Sequence, residues 1–192
     1  MRFPFVAANP MQEPFIWMEG GRDFRKDWPK APFLDEEQYG LCMAAFPRVC
    51  SDIIAVHPQR EGFYLARRIH HSAMGRWCFG GGQRRGQTPR DAAAANLRRE
   101  TGIEVPPEKF TFLFATEMYW KHRNPQPQNL GEQCRVLTYC FVPTNQEVAN
   151  IKLDPNEYDP EHGVQLYTKR GIYNILEPTG ELLRMYWHAA FG

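Results

Sequence analysis

The chain has 192 residues, of which 43% are hydrophobic and 23% are charged, a composition typical of one soluble globular domain. Its 23 lysine and arginine residues against 22 aspartate and glutamate residues give a net charge of +1, which excludes a general attraction to nucleic acid or to an anionic membrane. No run approaches the ~20 apolar residues that a membrane-spanning helix needs, so we expect no membrane partner.

Residues 1–34 are rich in proline, phenylalanine and tryptophan and have no clear hydrophobic period. Because prolines interrupt any regular element, we predict an N-terminal arm that lies over the domain formed by residues 35–192. The alternative is a partly disordered terminus, which four large apolar side chains disfavour. The predicted anchors of the arm are Phe15, Ile16, Trp17 and Trp28.

The domain is predicted to begin with a short helix and a β-hairpin. Residues 35–46 start with three acidic residues, which suit a helix N-terminus, and Pro47 ends the helix. The β-branched and apolar runs 49–56 and 63–69 flank a turn that contains Gly62, and they therefore predict two antiparallel strands.

A third short strand, residues 77–79, is predicted to end in the glycine run 80–82. The helix that follows is the best-specified element of the sequence. Thr88 supplies an N-cap hydroxyl, a proline comes next, and Asp91 completes a capping box. Gly102 predicts where this helix ends.

The elements predicted after this helix indicate an α/β fold. Strands followed by one central helix, more strands and a final helix suggest a mixed β-sheet packed between helices. These later elements are strands at 110–120, 134–142 and 165–168, irregular loops at 121–132 and 144–163, and a helix at 172–191 that is interrupted near Pro178.

The cysteines indicate a reducing compartment. There are five, an odd number, and no C-x-x-C pair occurs, which favours free thiols over a disulfide framework or a zinc site. Glu13, Glu19 and Asp23 argue against an acid-poor transit peptide. Cytosol is therefore the expected compartment, with mitochondria as the alternative.

The segment with the clearest chemical pattern is the glycine run together with the capped helix. Three consecutive glycines let the backbone approach a ligand closely, and their carbonyl and amide groups can face a metal or a phosphate. Asn96 and Glu100 lie four residues apart, so their side chains share one face of the helix. The same pattern also fits a tight turn before a solvated helix, in which Glu100 pairs with an arginine.

Residues 80–103 resemble the Nudix box, which runs from a glycine through an arginine and several acidic residues to a second glycine. Counting back from Gly102 places the first box glycine at Gly81, whereas counting from Trp77 places it at Gly82 with a loop one residue shorter; both registers stay open. In the first register one box glutamate remains. The positions that usually carry the other acids and the arginine hold Gln87, Asn96, Arg99 and Ala95.

Residues 35–175 also resemble the Nudix branch that contains the GDP-mannose mannosyl hydrolases. This resemblance implies a Nudix α/β/α sandwich with a mixed β-sheet between helices, a homodimer, and a Mg²⁺ site. It implies Glu100 as one metal ligand and a second ligand, followed by a histidine, from a later loop, where Glu161 and His162 fit. Glu157 competes with Glu161 as the second ligand. The matching stretches are 51–54, 63–68 and 75–77.

The reduced set of acids favours one metal ion and attack at the sugar carbon over attack at phosphorus. In this hypothesis Mg²⁺ is bound by Glu100, Glu161, the Gly81 carbonyl and the phosphates of the substrate. Arg68 and the metal neutralise the departing nucleoside diphosphate, while His162 takes a proton from the attacking water. The residues expected near the phosphates are Arg67, Gln83, Arg84 and Arg85.

Two functions of different classes follow from these patterns. The leading prediction is a Mg²⁺-dependent hydrolase of a nucleotide sugar, with GDP-mannose or GDP-glucose as the first substrates to try. The alternative is a Nudix fold that has lost catalysis and serves as a binding or scaffold module in a larger assembly, RNA-containing or mitochondrial. The lost acids and the aromatic arm favour this alternative, and nucleic acid is a partner only under it. The lost acids disfavour a pyrophosphohydrolase.

Overall fold

The structure is a computed structural model that describes residues 13–14, 16, 18, 23, 25–29 and 32–192. Two of the four predicted arm anchors, Phe15 and Trp17, lie outside the described residues. No helix within the described ranges is long and apolar enough to cross a membrane.

The described part of the N-terminal arm contacts the domain mainly through charged groups. Glu13 forms an ion pair with Arg90 at 2.6 Å and accepts a hydrogen bond from the Tyr139 hydroxyl at 2.9 Å. The guanidinium carbon of Arg85 lies 4.8 Å from the centroid of the Trp28 ring. Ile16 is 46% exposed and Trp28 is 41% exposed, so neither of these two predicted anchors is buried.

The described chain contains seven β-strands and five α-helices. The strands are β1 (Arg48–Val56), β2 (Phe63–Arg68), β3 (Gly75–Trp77), β4 (Phe79–Gly82), β5 (Thr111–Trp120), β6 (Glu132–Phe141) and β7 (Val164–Tyr167). The helices are α1 (Glu36–Ala45), α2 (Pro89–Thr101), α3 (Asn145–Ala149), α4 (Lys169–Tyr173) and α5 (Gly180–Phe191).

The strands form one mixed sheet with β1 at its centre. β1 pairs in parallel with β6 and antiparallel with β2 and β4, while β5 extends the sheet beyond β6, and β3 and β7 pair with β2. Helix α2 packs Leu97 against one face, and α5 packs Leu183 and Trp187 against the other. With both faces covered, residues 50–56 of β1 are all buried. This arrangement confirms the predicted α/β/α sandwich.

Helix α2 has the two ends that the sequence predicts. The Thr88 hydroxyl accepts a hydrogen bond from the Asp91 amide at 3.1 Å, and the Asp91 carboxylate accepts one from the Thr88 amide at 2.9 Å. Gly102 ends the helix with a φ of 75°, in the left-handed region that favours glycine. Local capping therefore determines both where this helix starts and where it ends.

The glycine run differs from the prediction because it is strand β4 and not a turn after a strand. Residues 80–82 pair antiparallel with residues 50–52 of β1. At Gly80 φ is +151°, and a Cβ would lie 2.5 Å from Asp52 Oδ1 and 2.7 Å from the Ser51 carbonyl oxygen. The missing side chain allows this close approach of β4 to β1. Strand propensities do not predict β4, because they disfavour glycine.

The predicted irregular loop 144–163 contains the short helix α3. Its start is a capping box in which the Thr144 hydroxyl accepts from the Glu147 amide at 3.1 Å and the Glu147 carboxylate accepts from the Thr144 amide at 2.6 Å. The predicted interruption near Pro178 is present, because it separates α4 from α5.

Arg123 organises the loop between β5 and β6. Its side chain is fully buried, and it donates hydrogen bonds to the carbonyl oxygens of Pro127 at 3.0 Å and Gln126 at 3.3 Å. Helix α1 contacts the same loop at Gly40, where a Cβ would lie 1.9 Å from the Gln126 carbonyl oxygen. The loop is therefore packed between its own arginine and a glycine of α1.

The buried carboxyl group of Asp52 predicts a pH-dependent stability. Burial raises its pKa from 3.8 to about 6, although the hydrogen bond from Tyr186 acts to lower it. Between pH 4 and pH 6 the folded state thus holds a proton that the unfolded state releases, and the free energy of unfolding should fall as the pH rises. At 1.36 kcal/mol per pKa unit, the loss is about 3 kcal/mol.

This loss should be absent from Asp52→Asn, in which the titrating group is removed. The measurement is urea unfolding of both proteins at pH 4, 5, 6 and 7. Burial also raises the pKa of Glu100, so the wild-type slope contains more than one group, and the difference between the two proteins isolates Asp52. Parallel pH profiles for the two proteins would contradict the assignment.

Candidate functional site

A cavity of about 510 Å³ lies beside β4 and α2 and is also lined by residues of α1, the end of β2 and the start of β6. Four guanidinium groups and two carboxylates contribute to its wall, so the excess charge is positive and suits a multiply charged anion. The charged wall residues are Arg48, Arg68, Arg84, Arg99, Glu132 and Glu157.

A second and larger cavity, of about 800 Å³, is lined mainly by the end of β5 and by residues of α5 such as Leu182 and Met185. It borders the first cavity at His71 and Ser72. Its lining includes neither the glycine strand nor α2. The smaller cavity is the candidate because four arginine side chains and the residues that resemble the Nudix box lie in its wall.

Glu100 lies beneath the candidate cavity and is completely buried. Its Oε2 accepts hydrogen bonds from the Gly80 amide at 2.9 Å and from the Tyr158 hydroxyl at 2.7 Å. Its Oε1 pairs with Arg99 Nη2 at 2.7 Å. Burial raises the pKa of Glu100 to about 7, although the adjacent Arg99 guanidinium acts to lower it. Each carboxylate oxygen therefore already has a partner within the protein.

The guanidinium of Arg99 lies among three oxygen atoms from different elements. Besides Glu100, its Nη2 donates to the Gly80 carbonyl oxygen at 3.3 Å, and its Nη1 donates to Glu157 Oε1 at 3.4 Å. Glu157 Oε2 accepts from Arg68 Nη2 at 3.0 Å. Two arginines and two glutamates thus form one continuous ion-pair network along the cavity wall.

These contacts test the predicted Mg²⁺ site. A Mg²⁺ ion needs near-octahedral oxygen ligands at ~2.1 Å, but the oxygens of Glu100, Gly80 and Glu157 converge on a guanidinium group. Among the described residues, no group of three or more His, Cys, Asp or Glu side chains is arranged to hold a metal ion. The arrangement of these residues therefore does not provide the Mg²⁺ site that the resemblance implies.

Four of the nine residues predicted to contact the ligand or metal line the cavity, and a fifth, Glu100, lies next to it. Gly81, Gln83, Arg84 and Arg68 line the cavity, and Glu100 contacts it through Arg99. The loop carrying Gln83 and Arg84 is closed by Gln87, whose side-chain oxygen accepts from the Arg84 amide at 2.8 Å. The predicted residues outside the wall are Arg67, Arg85, Glu161 and His162.

Arg67 and His162 belong to an exposed cluster outside the cavity. Arg67 Nη1 lies 3.2 Å from His162 Nε2, and His162 Nδ1 lies 2.8 Å from Asp159 Oδ2. Because successive side chains of a strand point to opposite sides, Arg68 faces the cavity while Arg67 does not. The structure therefore does not bring the predicted base His162 to Glu100.

Of the two acids that the sequence leaves open as second ligand, Glu157 is the one at the cavity. The Ile69 amide donates to the Glu157 carbonyl at 3.0 Å and the Asp159 amide donates to the Arg67 carbonyl at 2.9 Å, so this segment runs along the end of β2. Glu161 follows after these contacts and is exposed. The glycine carbonyl that faces the same point is that of Gly80, one residue before the predicted Gly81.

Arg48 and Glu132 are wall residues that the sequence did not indicate. Arg48 Nη2 lies 2.5 Å from Glu132 Oε1, and Glu132 also accepts a hydrogen bond from the Ser72 hydroxyl. They meet because β1 and β6 pair in parallel from Arg48 onward, a long-range contact without a local signal. The Nε atoms of Arg48 and Arg68 are buried and have no hydrogen-bond partner among the described residues.

The seven-stranded sheet between helices, with a glycine strand and a capped helix beside a charged cavity, defines an α/β sandwich domain. The sequence matches the NUDIX domain family model over residues 47–170, more than half of the chain. The chain therefore belongs to the NUDIX domain family. Nudix hydrolases generally use divalent metal ions such as Mg²⁺. At the general level, membership of this family supports a hydrolase that acts on a compound linked to a nucleoside diphosphate. No curated protein matches the chain.

Solved structures show the same fold at low sequence identity. A MutT NUDIX hydrolase from Burkholderia pseudomallei is similar with a TM-score of 0.54 and 15% identity, covering 75% of this chain and 98% of that one. A MutT protein from Methanosarcina mazei Go1 has a TM-score of 0.53 and 15% identity, with coverages of 73% and 91%. A NUDIX family hydrolase from Clostridium perfringens has a TM-score of 0.50 and 12% identity, with coverages of 76% and 97%.

Proposed function

We propose that this chain binds a nucleoside-diphosphate-linked compound in the arginine-lined cavity, with the diphosphate against Arg48, Arg68, Arg84 and Arg99. The observation that carries the proposal is the convergence of these four guanidinium groups on one cavity beside the glycine strand. Guanidinium groups match phosphate oxygens with paired hydrogen bonds, and each remains charged at any physiological pH.

The donors left over after the internal contacts support this proposal. Arg48 and Arg68 each use an Nη2 atom on a glutamate, while their Nε atoms are buried without a partner among the described residues. A buried donor without an acceptor costs free energy. Because neither Nε atom is accessible in the free protein, a phosphate oxygen would pair with them only after the two side chains shift, and the bound state would then gain hydrogen bonds that the free protein lacks.

Hydrolysis is a separate question from binding. The Mg²⁺-dependent hydrolysis of GDP-mannose or GDP-glucose expected from the resemblance needs a base and a metal at this cavity, and His162 and Glu161 are not in its wall. The histidines that line the cavity are His70 and His71. We therefore propose binding as the primary function, with GDP sugars as the first ligands to test and hydrolysis as a measured outcome.

The test is isothermal titration calorimetry of the full chain with GDP-mannose, GDP-glucose, UDP-glucose and GDP, each beside GMP. We expect saturable binding of the diphosphate compounds and at least tenfold weaker binding of GMP, because a monophosphate reaches fewer guanidinium groups. Reducing-sugar and phosphate assays on the same samples report turnover: free sugar indicates attack at carbon, and a new monophosphate indicates attack at phosphorus. Absence of binding for every diphosphate compound would refute the proposal.

A further inference from the structure

Arg99 stands at a position where the Nudix box usually has an acidic residue, and its side chain lies where ligand oxygens converge. The Glu100 carboxylate, the Gly80 carbonyl and the Glu157 carboxylate contact its guanidinium at 2.7, 3.3 and 3.4 Å. These oxygens come from α2, β4 and the loop before β7. A cation of the chain itself therefore occupies the centre of this oxygen set.

We propose that the Arg99 guanidinium is a built-in cation that replaces a divalent metal, so that the cavity binds a diphosphate without Mg²⁺. This inference rests on the proposed function, which it deepens by assigning the positive charge to the protein. A guanidinium has five N–H donors, and the three contacts above use three of them. Two donors remain, on a side chain that is 38% exposed at the cavity wall.

The charges around Arg99 are already balanced without a metal. Above the pKa of Glu100, about 7, Glu100 and Glu157 carry two negative charges, and Arg99 and Arg68, which contact them, carry two positive charges. Below that pKa the cluster has an excess of positive charge. A divalent ion at this point would have to displace the guanidinium and would add two positive charges beside Arg68. Both requirements oppose metal binding.

The backbone of β4 is shaped to accept the guanidinium. A Cβ at Gly81 would lie 3.0 Å from Arg99 Nη2 and 3.4 Å from Asn96 Oδ1. The missing side chain at this position therefore leaves the space that Arg99 fills. Since Glu100 beside it is completely buried, the pair is partly shielded from solvent, unlike an exposed surface ion pair.

The decisive variant is Arg99→Glu, which removes the internal cation and adds a third acid beside Glu100 and Glu157. Metal binding is measured by calorimetry with Mg²⁺ alone and by electron paramagnetic resonance with Mn²⁺ alone. The wild type should show no specific binding, and the variant should bind each metal at least tenfold more tightly than the upper limit set by the wild-type titration. Binding of pyrophosphate to the wild type should be equal in EDTA and in Mg²⁺. The variant should lose at least tenfold in EDTA and recover in Mg²⁺.

Arg98→Glu is the matched control, because it makes the same charge change one residue earlier. Arg98 forms an ion pair with Glu104 in which both side chains are 70% exposed, and it does not line the arginine cavity. We expect this variant to bind metal and pyrophosphate as the wild type does.

If Arg99→Glu fails to fold, Arg99→Gln removes the cation without adding an acid, and it should bind pyrophosphate at least tenfold more weakly in EDTA.

The outcomes separate this inference from the proposed function. Wild-type binding of pyrophosphate and GDP-mannose that requires Mg²⁺ would overturn the built-in cation and leave the proposed ligand class intact. Wild-type binding in EDTA that Arg99→Gln leaves unchanged would also overturn it. Absence of ligand binding under all conditions would refute the proposed function together with diphosphate binding without Mg²⁺. The metal titrations of Arg99→Glu would then decide whether Arg99 occupies the position of a metal ion.

Discussion

Replacing Gly80 with alanine is expected to destabilise the protein by about 4 kcal/mol, as the combined cost of overpacking and backbone strain. The Cβ would lie 2.5 Å from Asp52 Oδ1, 2.7 Å from the Ser51 carbonyl oxygen and 2.8 Å from the Asp52 Cα, at a φ of +151°. Two of these neighbours are backbone atoms of the central strand, which cannot move without disturbing its pairing with β6. The variant should therefore unfold at a much lower urea concentration, measured by tryptophan fluorescence.

Gly163→Ala is the control for this prediction. Gly163 also has a positive φ, +56°, but a Cβ there would meet no atom within 4 Å. Only the backbone cost of the left-handed conformation remains, about 1 kcal/mol. Equal destabilisation of the two variants would show that the approach of β4 to β1 is looser than the structure has it.

Replacing Arg68 with alanine is expected to weaken the binding of GDP-mannose by about 10- to 100-fold, the range for losing a hydrogen bond to a charged group. Arg68 faces the cavity with a side chain that is 20% exposed. Removing it takes away one positive charge and one buried donor from the place where we propose that the diphosphate binds. Calorimetry under the conditions of the wild-type titration measures the change.

Arg67→Ala is the control for Arg68→Ala, since it deletes the same side chain one residue earlier on the same strand. Arg67 points out of the cavity toward Asp159, at 3.7 Å, and is 49% exposed. Its variant should bind GDP-mannose within about twofold of the wild type. A comparable loss of affinity in both variants would mean that long-range charge, and not contact in the cavity, determines binding.

The parts of the fold that the sequence predicts are those with local signals. Helix α2 is specified at both ends by its capping box and by Gly102, within a few residues of each end. The hairpin of β1 and β2 follows from two apolar runs around one turn. The mixed sheet follows from the order of strands and helices. The helix and the hairpin are predicted correctly because short-range geometry determines them, and the sheet because the order of elements limits how they can pack.

The parts of the site that the sequence does not predict depend on contacts between distant segments. Arg48 reaches Glu132 only because β1 and β6 pair in parallel. The sequence leaves Glu157 and Glu161 open because the path of their loop is set by hydrogen bonds to β2. Arg99 was visible as a lost acid, but the burial of its Glu100 partner, which makes it a candidate cation, is a property of the packed fold.

Buried Arg123 has a consequence for the entropy of ligand binding at the cavity. Asn124 and Pro125, next to it, form part of the wall, and the carbonyls after them are tied to the Arg123 guanidinium. Since Gly40 of α1 also lies against the Gln126 carbonyl, contacts within the protein hold this part of the wall in place before any ligand binds. A ligand that binds against this part of the wall should therefore do so without the entropy loss of ordering a loop.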